Sequence, residues 1–442
     1  MIWWVADVPR RLPGSYNKAC FRALYPCSIE RFSPTAEIRG LSRSEVFPHD
    51  PRTQRLRKMI EMKSILMALA VGASVSLGGP ASYAAENLRK VETVATFHDA
   101  MPTGVTVASS GRIFVNYPRW GDDVPFTVGE IVDGKVVAYP NTEINKPDTA
   151  NLRDHLISVQ SVVVDAANRL WILDTAAPGF ASPLKGGPKL VAIDLATNKV
   201  VKTIVFPDDV ILASTYVNDM RFDLGVGKEG VAYVTDSSLT GPGGIIVIDL
   251  ATGSALRRLT GDKTTSADPD FVPVIDEQRF LNRPQGKQAS PVRIASDGIA
   301  ISADGETLYY SPLSSRHMYS VPTRSLLDGK LSEADLASKV RDLGLKGASD
   351  GLESDDKNRV YGGDYEHHSI RMFDDGKWST IAQSREILWP DTLSVASDGY
   401  LYFTANQLDR QAGFHAGKDL RVKPYKLLRI KIDGGPVLLK AK

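Results

Sequence analysis

The stretch SDGIAISADGETLYYS, Ser296–Ser311, decides the fold. It opens on Ser-Asp-Gly and continues as two apolar runs separated by a polar turn that contains Asp and Gly. Branched and aromatic runs around such a turn predict a β-hairpin. A related stretch, SDGLESDDKNRVYGGD, occupies Ser349–Asp364. This self-similarity indicates a fold built from repeats.

Four more stretches have the same plan, so the chain contains six predicted hairpins. The six begin at Gly104, Ser161, Asp219, Gly298, Gly351 and Thr392, which puts their starts 57, 58, 79, 53 and 41 residues apart. A second pair of strands follows several of them, twice marked by the sequence IDLAT. Two hairpins in series make a four-stranded unit, and the spacing suits the blades of a β-propeller.

We therefore predict an all-β chain folded as a six-bladed β-propeller with four-stranded blades over residues 85–442. A two-sheet sandwich is the alternative, and the six copies of one unit favour the propeller. Val91–Phe97 is expected to close the ring as the outer strand of the last blade, beside Lys426–Ile432. Gly261–Arg293 is expected to form a long functional loop, and Ser332–Val340 a short capped helix.

The segment that begins at Met62 has the layout of a secretory signal peptide. Lys63 is followed by a short apolar run, Ile65–Leu77, and by small residues around Ala84 and Ala85. The run is too short and interrupted for a good membrane span, and a buried helix is the alternative interpretation. We predict a signal peptide at residues 62–84, a non-native or disordered extension at residues 1–61, and a secreted or periplasmic protein.

Charge and cysteine content exclude several classes of function. Residues 1–61 carry 11 Lys and Arg against 6 Asp and Glu, whereas residues 85–442 carry 41 against 46. The acidic main body argues against a nucleic-acid partner, which needs a cationic face. Both cysteines, Cys20 and Cys27, lie in the extension. The cleaved chain would therefore have no disulfide, cysteine nucleophile or zinc-thiolate site.

Polar residues stand at the start of the first strand in five predicted blades. Because the first strands of a propeller line its central channel, radial symmetry is expected to bring these side chains towards one axis. The alternative for each aspartate is a local turn in which it accepts hydrogen bonds from backbone N–H groups. The residues concerned are Gln160, Asn218, Asp219, Asp297, Asp350 and Asp391.

Several carboxylates can converge only if protons or cations balance them. An amine ligand would serve, and so would Ca²⁺ or another divalent cation, for which Asn218, Asp297 and Asp350 are the candidate ligands. Trp120 and Trp389 are candidates for stacking on an aromatic amine, with packing between blades as the alternative. By contrast, four aspartates in the hairpin turns are expected to be structural. They are Asp165, Asp304, Asp355 and Asp398.

Four motifs resemble those of the yellow / major royal jelly protein family, in the same order. They are GRIFVNYPRWGDDVPFTVGEI from Gly111, QSVVVDAANRLWILDT from Gln160, YVNDMRFD with AYVTDSS from Tyr216, and GIAISADGETLYYSPLSS from Gly298. The resemblance implies a secreted six-bladed propeller. Some insect members bind biogenic amines in the channel, others are credited with dopachrome tautomerisation, and bacterial relatives are labelled dopachrome-tautomerase-related. No catalytic residue is transferred.

A weaker similarity is to the gluconolactonase and regucalcin-like propellers, which hold a divalent metal with a Glu, Asn and Asp set. The motifs at Asn218 and at Asp297 or Asp350 resemble parts of that set, but Glu130 and Glu143 fall too late in blade one. Three functions stay open. They are binding of a small molecule with dopachrome-tautomerase-like isomerisation, metal-dependent lactone hydrolysis, and a non-catalytic platform for protein partners.

The export hypothesis makes a direct prediction about the N-terminus. We expect translation to start at Met62 and cleavage to follow Ala84 or Ala85. N-terminal sequencing of precursor and mature protein checks this. Recovery of any residue before Met62 in the precursor would contradict a translation start at Met62.

Overall fold

The computed structural model describes residues 88–441, which form six antiparallel four-stranded sheets. These sheets are the blades of a propeller, so the predicted fold class is confirmed. The predicted extension, the signal peptide at residues 62–84 and both cysteines lie outside the described residues. Within residues 88–441 no helix is both long and apolar enough to cross a lipid bilayer.

The blades follow the order of the chain, each from an inner to an outer strand. Blade one comprises β2 Val105–Val107, β3 Ile113–Asn116, β4 Val128–Val132 and β5 Lys135–Ala138; blade two comprises β6 Val159–Val164, β7 Arg169–Asp174, β8 Lys189–Asp194 and β9 Lys199–Val205. Blade three comprises β10 Val217–Asp223, β11 Val231–Asp236, β12 Gly244–Asp249 and β13 Ala255–Arg258; blade four comprises β18 Ser296–Ile301, β19 Thr307–Pro312, β20 His317–Pro322 and β21 Arg341–Leu345. Blade five comprises β22 Leu352–Ser354, β23 Val360–Asp364, β24 Ser369–Asp374 and β25 Lys377–Gln383; blade six comprises β26 Pro390–Val395, β27 Tyr400–Ala405, β28 Tyr425–Lys431 and β1 Val91–Phe97.

The ring closes as the sequence predicts. Val91–Phe97 pairs antiparallel with Tyr425–Lys431, so one blade joins the two ends of the propeller. The inner strands contact their neighbours in the cycle β2, β6, β10, β18, β22, β26 and back to β2. Buried aliphatic and aromatic side chains fill the space between successive blades, as in the cluster that joins Trp171 of blade two to Met220 and Phe222 of blade three. The six inner strands therefore surround one axis.

Short elements outside the blades lie mainly between blades three and four and in blade four. The segment predicted as a long loop contains two small hairpins, formed by β14 Val274–Ile275 with β15 Gln278–Arg279 and by β16 Leu281–Asn282 with β17 Ser290–Pro291. The helices are α1 Thr142–Asn145, α2 Thr323–Leu327 and α3 Glu333–Ala337, with 3₁₀ turns at Pro178–Phe180, Leu408–Arg410 and Ala412–Phe414. Ser332 caps α3 through a bond from the Asp335 N–H, which confirms the predicted capped helix.

The Gly of the Ser-Asp-Gly motif is required by the close approach of neighbouring inner strands. A Cβ atom at Gly298 would lie 2.6 Å from the carbonyl oxygen of Asp350, and one at Gly351 would lie 2.6 Å from that of Asp391. The Gly351 N–H donates to the Asp391 carbonyl at 2.9 Å. Contacts this short leave no room for a side chain, so glycine allows blades four, five and six to meet at the axis.

The four turn aspartates are structural, as predicted. Asp165 accepts hydrogen bonds from the backbone N–H groups of Ala167 and Arg169, and Asp355 repeats this arrangement with Lys357 and Arg359. In the other two turns Asp304 and Asp398 each accept a bond from the N–H two residues on, those of Glu306 and Tyr400. Asp165 and Asp355 are also bound by a ring on the returning strand, Trp171 Nε1 and Tyr361 Oη respectively.

Asp165→Ala is expected to reduce the free energy of unfolding by about 3 kcal/mol, because it leaves several buried donors and Arg169 without their carboxylate. Asp398→Ala is the matched control, since the Asp398 side chain is 44% exposed whereas that of Asp165 is 0%. We expect the control to lose about 1 kcal/mol. Denaturant unfolding measures both, and equal losses would contradict the assignment.

Candidate functional site

The start of the inner strands opens into a cavity of ≈ 780 Å³. Side chains from the strand starts of blades two to six line it, together with Trp120 from blade one and residues of the insertion between blades three and four. Seven of the eight predicted ligand-binding residues line this one cavity. They are Trp120, Gln160, Asn218, Asp297, Asp350, Trp389 and Asp391.

A β-bulge recurs at the start of the inner strand and aims these polar side chains. The register shifts between Val159 and Ser161 in blade two and between Val217 and Met220 in blade three. It shifts again between Ser296 and Ile299 in blade four and between Pro390 and Leu393 in blade six. Gln160, Asn218, Asp297 and Asp391 all fall inside these shifts. Bulges release residues from ladder pairing and redirect them, which places one polar side chain per blade at the cavity.

The carboxyl groups of Asp297 and Asp350 lie close enough for each to shift the pKa of the other. Burial, followed by the charge of Asp350, raises the pKa of Asp297 well above its usual value. Burial also raises the pKa of Asp350 to about 6, although the Trp389 Nε1–H donates to it at 2.7 Å and opposes the rise. Two adjacent carboxylates cannot both ionise cheaply, so the ionisation of one carboxyl opposes the ionisation of the other.

Asp391 is the third acidic group of the cavity. Its pKa is raised by burial and then by the charge of Asp350, while the Asn406 amide donates to it at 2.6 Å. Lys346 is the buried cation that interacts electrostatically with Asp297 and Asp350, and burial lowers its own pKa to about 7. Its Nζ donates to the carbonyl oxygens of Ser315 and Gly347, each at 3.0 Å. The lysine therefore influences the acidic group without forming an ion pair with it.

Asp219 is the predicted residue that does not line the cavity. Its carboxylate accepts a bond from Ser161 Oγ at 2.7 Å and forms an ion pair with Arg221 at 3.0 Å. The sequence placed it with the other strand starts, but Asn218 is the residue of blade three that lines the cavity. Asp219 still acts on the site at a distance, because its charge raises the pKa values of Asp350 and Asp391.

Aromatic side chains form two walls above the acidic groups. On one side Trp120 stacks on Phe180 with centroids 4.6 Å apart, and Phe180 lies 5.0 Å from Tyr216. On the other side Trp389 lies 5.1 Å from Phe280, which contacts Phe414 at 4.5 Å. The sequence indicated Trp120 and Trp389. Phe180 and Phe414 lie in 3₁₀ turns and Phe280 lies in the insertion, and none of these segments repeats along the chain; Tyr216 directly precedes β10, so its place at a strand start is a signal that could have identified it.

The rim carries an ion-pair cluster that the sequence did not indicate. Arg421 pairs with both Asp122 and Asp419, at 2.7 and 2.6 Å, and all three line the cavity. These pairs join the connection between β3 and β4 of blade one to the connection between β27 and β28 of blade six. They fix the opening of the cavity and leave Arg421 neutralised.

The metal alternative receives no support from the geometry. Asn218 Nδ2 donates to Asp297 at 2.7 Å and to Ser237 Oγ at 2.8 Å, so the amide presents a donor to the carboxylate instead of an oxygen to a cation. Over residues 88–441, no group of three or more His, Cys, Asp and Glu side chains is arranged to hold a metal ion. The divalent-cation site stays a hypothesis from the sequence alone.

The opposite end of the axis is narrow and covered. A second cavity of ≈ 110 Å³ lies there, lined by residues from all six inner strands, including Arg221 and Glu353. The C-terminal segment Pro436–Leu439 forms part of its wall. Leu439 accepts a bond from the Leu224 N–H, and Pro436 bridges to Asp355. The wide cavity is therefore the accessible end of the channel.

Comparison with protein families gives one match: the family model described as Major royal jelly protein covers residues 157–430. Major royal jelly protein 5 of Apis mellifera is 27% identical over 229 residues, which are 49% of this chain and 35% of that protein. Protein yellow of Drosophila erecta is 29% identical over 250 residues, 53% of this chain and 43% of that protein. The chain thus spans less than half the length of these two relatives.

Solved structures with a similar fold include regucalcin from Agrobacterium tumefaciens, described as a calcium-binding protein. It has a TM-score of 0.46 and 14% identity, covering 78% of this chain and 97% of that one. A gluconolactonase from Xanthomonas campestris has a TM-score of 0.46 and 15% identity, covering 78% and 91%. At these identities and TM-scores the likenesses carry no conclusion about chemistry.

Asp350→Asn is expected to stabilise the protein at about pH 8, by about 2 kcal/mol. A carboxyl whose pKa is raised by folding favours the folded state below its unfolded pKa of 3.8, and this stability is lost as the pH rises through about 6. The amide cannot ionise, and it can still accept from Trp389 and donate to Asp297. Urea unfolding at about pH 4 and about pH 8 measures the difference, which should shrink at the lower pH.

The matched control is Asp304→Asn, because bonds from Ser302 and the Glu306 N–H lower the pKa of Asp304. A lowered pKa stabilises the folded state above the unfolded pKa, so this variant is expected to lose stability at about pH 8. If Asp350→Asn lost stability in the same way, the assignment of a strained acidic cluster would be wrong.

Proposed function

Since the chain belongs to the major royal jelly protein family, we propose that it is an exported propeller that binds a small aromatic amine or catechol-derived compound in the wide cavity. The observation that carries the proposal is the group of three buried aspartates, Asp297, Asp350 and Asp391, at the cavity. Ion pairs within 4.0 Å join other carboxylates of the described chain, such as Asp219 to Arg221, but none joins these three. Lys346 acts on Asp297 and Asp350 without pairing with them, so within residues 88–441 no cation forms an ion pair with the three aspartates.

A ligand ammonium would provide that cation. It would relieve the repulsion that raises the pKa values of Asp297 and Asp391, and its N–H groups would be donors to carboxylate oxygens. Burial strengthens this attraction because the site is largely shielded from water. The carboxylates would repel an anionic ligand, so the acidic group also supports selection of cationic over anionic ligands.

The aromatic walls favour a flat, apolar body next to the ammonium. Phe180 and Phe280 belong to different aromatic groups of the lining, and each packs against a tryptophan that also lines the cavity. Aromatic faces interact with both rings and cations, which fits an aromatic amine better than an aliphatic one. The volume of ≈ 780 Å³ falls within the range of small-molecule sites.

The mutual effect of Asp297 and Asp350 on their pKa values supports proton transfer as a second role for the same site. Asp350 as carboxylate would take a proton from a carbon of the ligand, while Asp297 as neutral acid would give a proton to an oxygen or another carbon. No atom or electron pair is gained or lost by the ligand, so the reaction is an isomerisation. Conversion of dopachrome is the candidate, in line with a dopachrome-tautomerase-like activity.

Export is the remaining part of the proposal. It depends on the signal peptide read from Met62–Ala84, which the structure does not describe, and on the propeller at residues 85–442 as the mature protein. The protein would then act in the periplasm or outside the cell. The site itself needs no cysteine and no disulfide, so its chemistry is compatible with an oxidising compartment.

Calorimetry with dopamine is expected to show binding that Asp297→Asn or Asp350→Asn weakens about tenfold, because each removes one carboxylate from the ammonium. Affinity should rise as the pH increases from about 5 to about 7, since Asp350, with a pKa of about 6, loses its proton while the amine, like lysine, stays charged. In a stopped-flow assay with dopachrome, Asp350→Asn should also abolish any turnover.

Asp398→Asn is the control for these measurements, because Asp398 lies in an exposed hairpin turn of blade six. It should leave affinity and turnover unchanged. Absence of heat with dopamine at millimolar concentration, together with equal behaviour of all three variants, would refute the proposed function.

A further inference from the structure

Gln160 is a buried side chain that the acidic site does not use. It is 4% exposed, it lies inside the bulge of β6, and it lines the wide cavity. Among the described residues its only side-chain hydrogen bond is the one that its Oε1 accepts from the Tyr216 hydroxyl, at 3.0 Å. Its Nε2 group is not among the buried polar atoms that are closed off from solvent and lack a partner. The amide N–H groups are therefore open to the cavity.

A relay of hydrogen bonds fixes the orientation of this amide. The Trp120 Nε1–H donates to the Tyr216 hydroxyl at 2.8 Å, and an indole nitrogen can only donate. The hydroxyl accepts a hydrogen bond from Trp120 and donates one to Gln160 Oε1. With the oxygen of Gln160 accepting from Tyr216, the NH₂ group is the end of the amide that faces away from Tyr216.

The relay lies next to the acidic group and within one aromatic wall. Charges on Asp297 and Asp391 both act on the Tyr216 hydroxyl and help to raise its pKa, after the larger effect of burial. Trp120 and Tyr216 are also the rings that pack on Phe180. A ligand whose ammonium meets the aspartates and whose ring lies along this wall would bring a ring substituent to Gln160.

We propose that the Gln160 amide selects ligands that carry an oxygen acceptor, such as a phenolic hydroxyl, in addition to the ammonium. This inference rests on the proposed function and adds the substrate class: hydroxylated aromatic amines over their unsubstituted counterparts. A buried donor without a partner penalises a ligand that cannot accept from it, and this penalty is the basis of the selectivity.

Tyramine and phenethylamine test the proposal, because they differ by one hydroxyl group. Calorimetry on the full chain should give a tyramine affinity about tenfold higher than that of phenethylamine. Gln160→Met keeps the length of the side chain and removes the donor. It should bring the ratio of the two affinities to about one, chiefly by weakening the binding of tyramine.

Tyr216→Phe is the second variant, and it leaves Gln160 in place while removing the bond that orients its amide. It should give a tyramine-to-phenethylamine affinity ratio between that of the parent and that of Gln160→Met. If a thermal unfolding scan shows that Gln160→Met does not fold, Tyr216→Phe alone tests the role of Gln160. A parent protein that binds neither amine refutes the proposed function. A parent that binds both equally, or a ratio that Gln160→Met or Tyr216→Phe leaves unchanged, overturns the role of Gln160 and leaves amine binding intact.

Discussion

The close approach of the inner strands at the axis is the constraint on which the rest of the structure depends. Blades four, five and six meet where Gly298 faces the carbonyl of Asp350 and Gly351 faces that of Asp391, with room for a hydrogen atom and nothing larger. Because each of these glycines follows an aspartate, the same contact that packs the blades brings the carboxylates together. Packing and acidity are two consequences of one backbone arrangement.

This arrangement has an electrostatic cost that folding must offset. Burial and mutual repulsion raise the pKa values of Asp297, Asp350 and Asp391, so the site is less stable when ionised. Donors from Asn218, Ser237, Trp389 and Asn406 reduce the cost without supplying a cation. A buried acidic cluster in a cavity with aromatic walls lowers the stability of the fold. Such a cost is expected at a binding site and not in a structure optimised for stability alone.

The sequence predicted the fold well because the propeller is a repeat, and a repeat is visible as spacing. Ring closure by Val91–Phe97 and the convergence of Gln160, Asn218, Asp297, Asp350 and Asp391 follow from radial symmetry alone. Phe180, Phe280 and Phe414 could not be predicted, because they lie in connections that do not repeat. Asp219 was misplaced for a related reason: the bulge of β10 puts Asn218 at the cavity, and a shift of one residue is not readable from composition.

The opening stretch shows why position along the inner strand, and not the dipeptide, determines the role of an aspartate. Asp297-Gly298 and Asp304-Gly305 read alike and are seven residues apart. Gly305 is needed for its positive φ of 75°, as the turn requires, whereas Gly298 is needed for close approach. Asp304 accepts bonds from local donors that lower its pKa, whereas Asp297 lies beside a second carboxyl that raises it. One strand length separates a stabilising turn from a group that needs a partner, because the inner strand carries the chain from the cavity at one end of the channel to the hairpin turn at the other end.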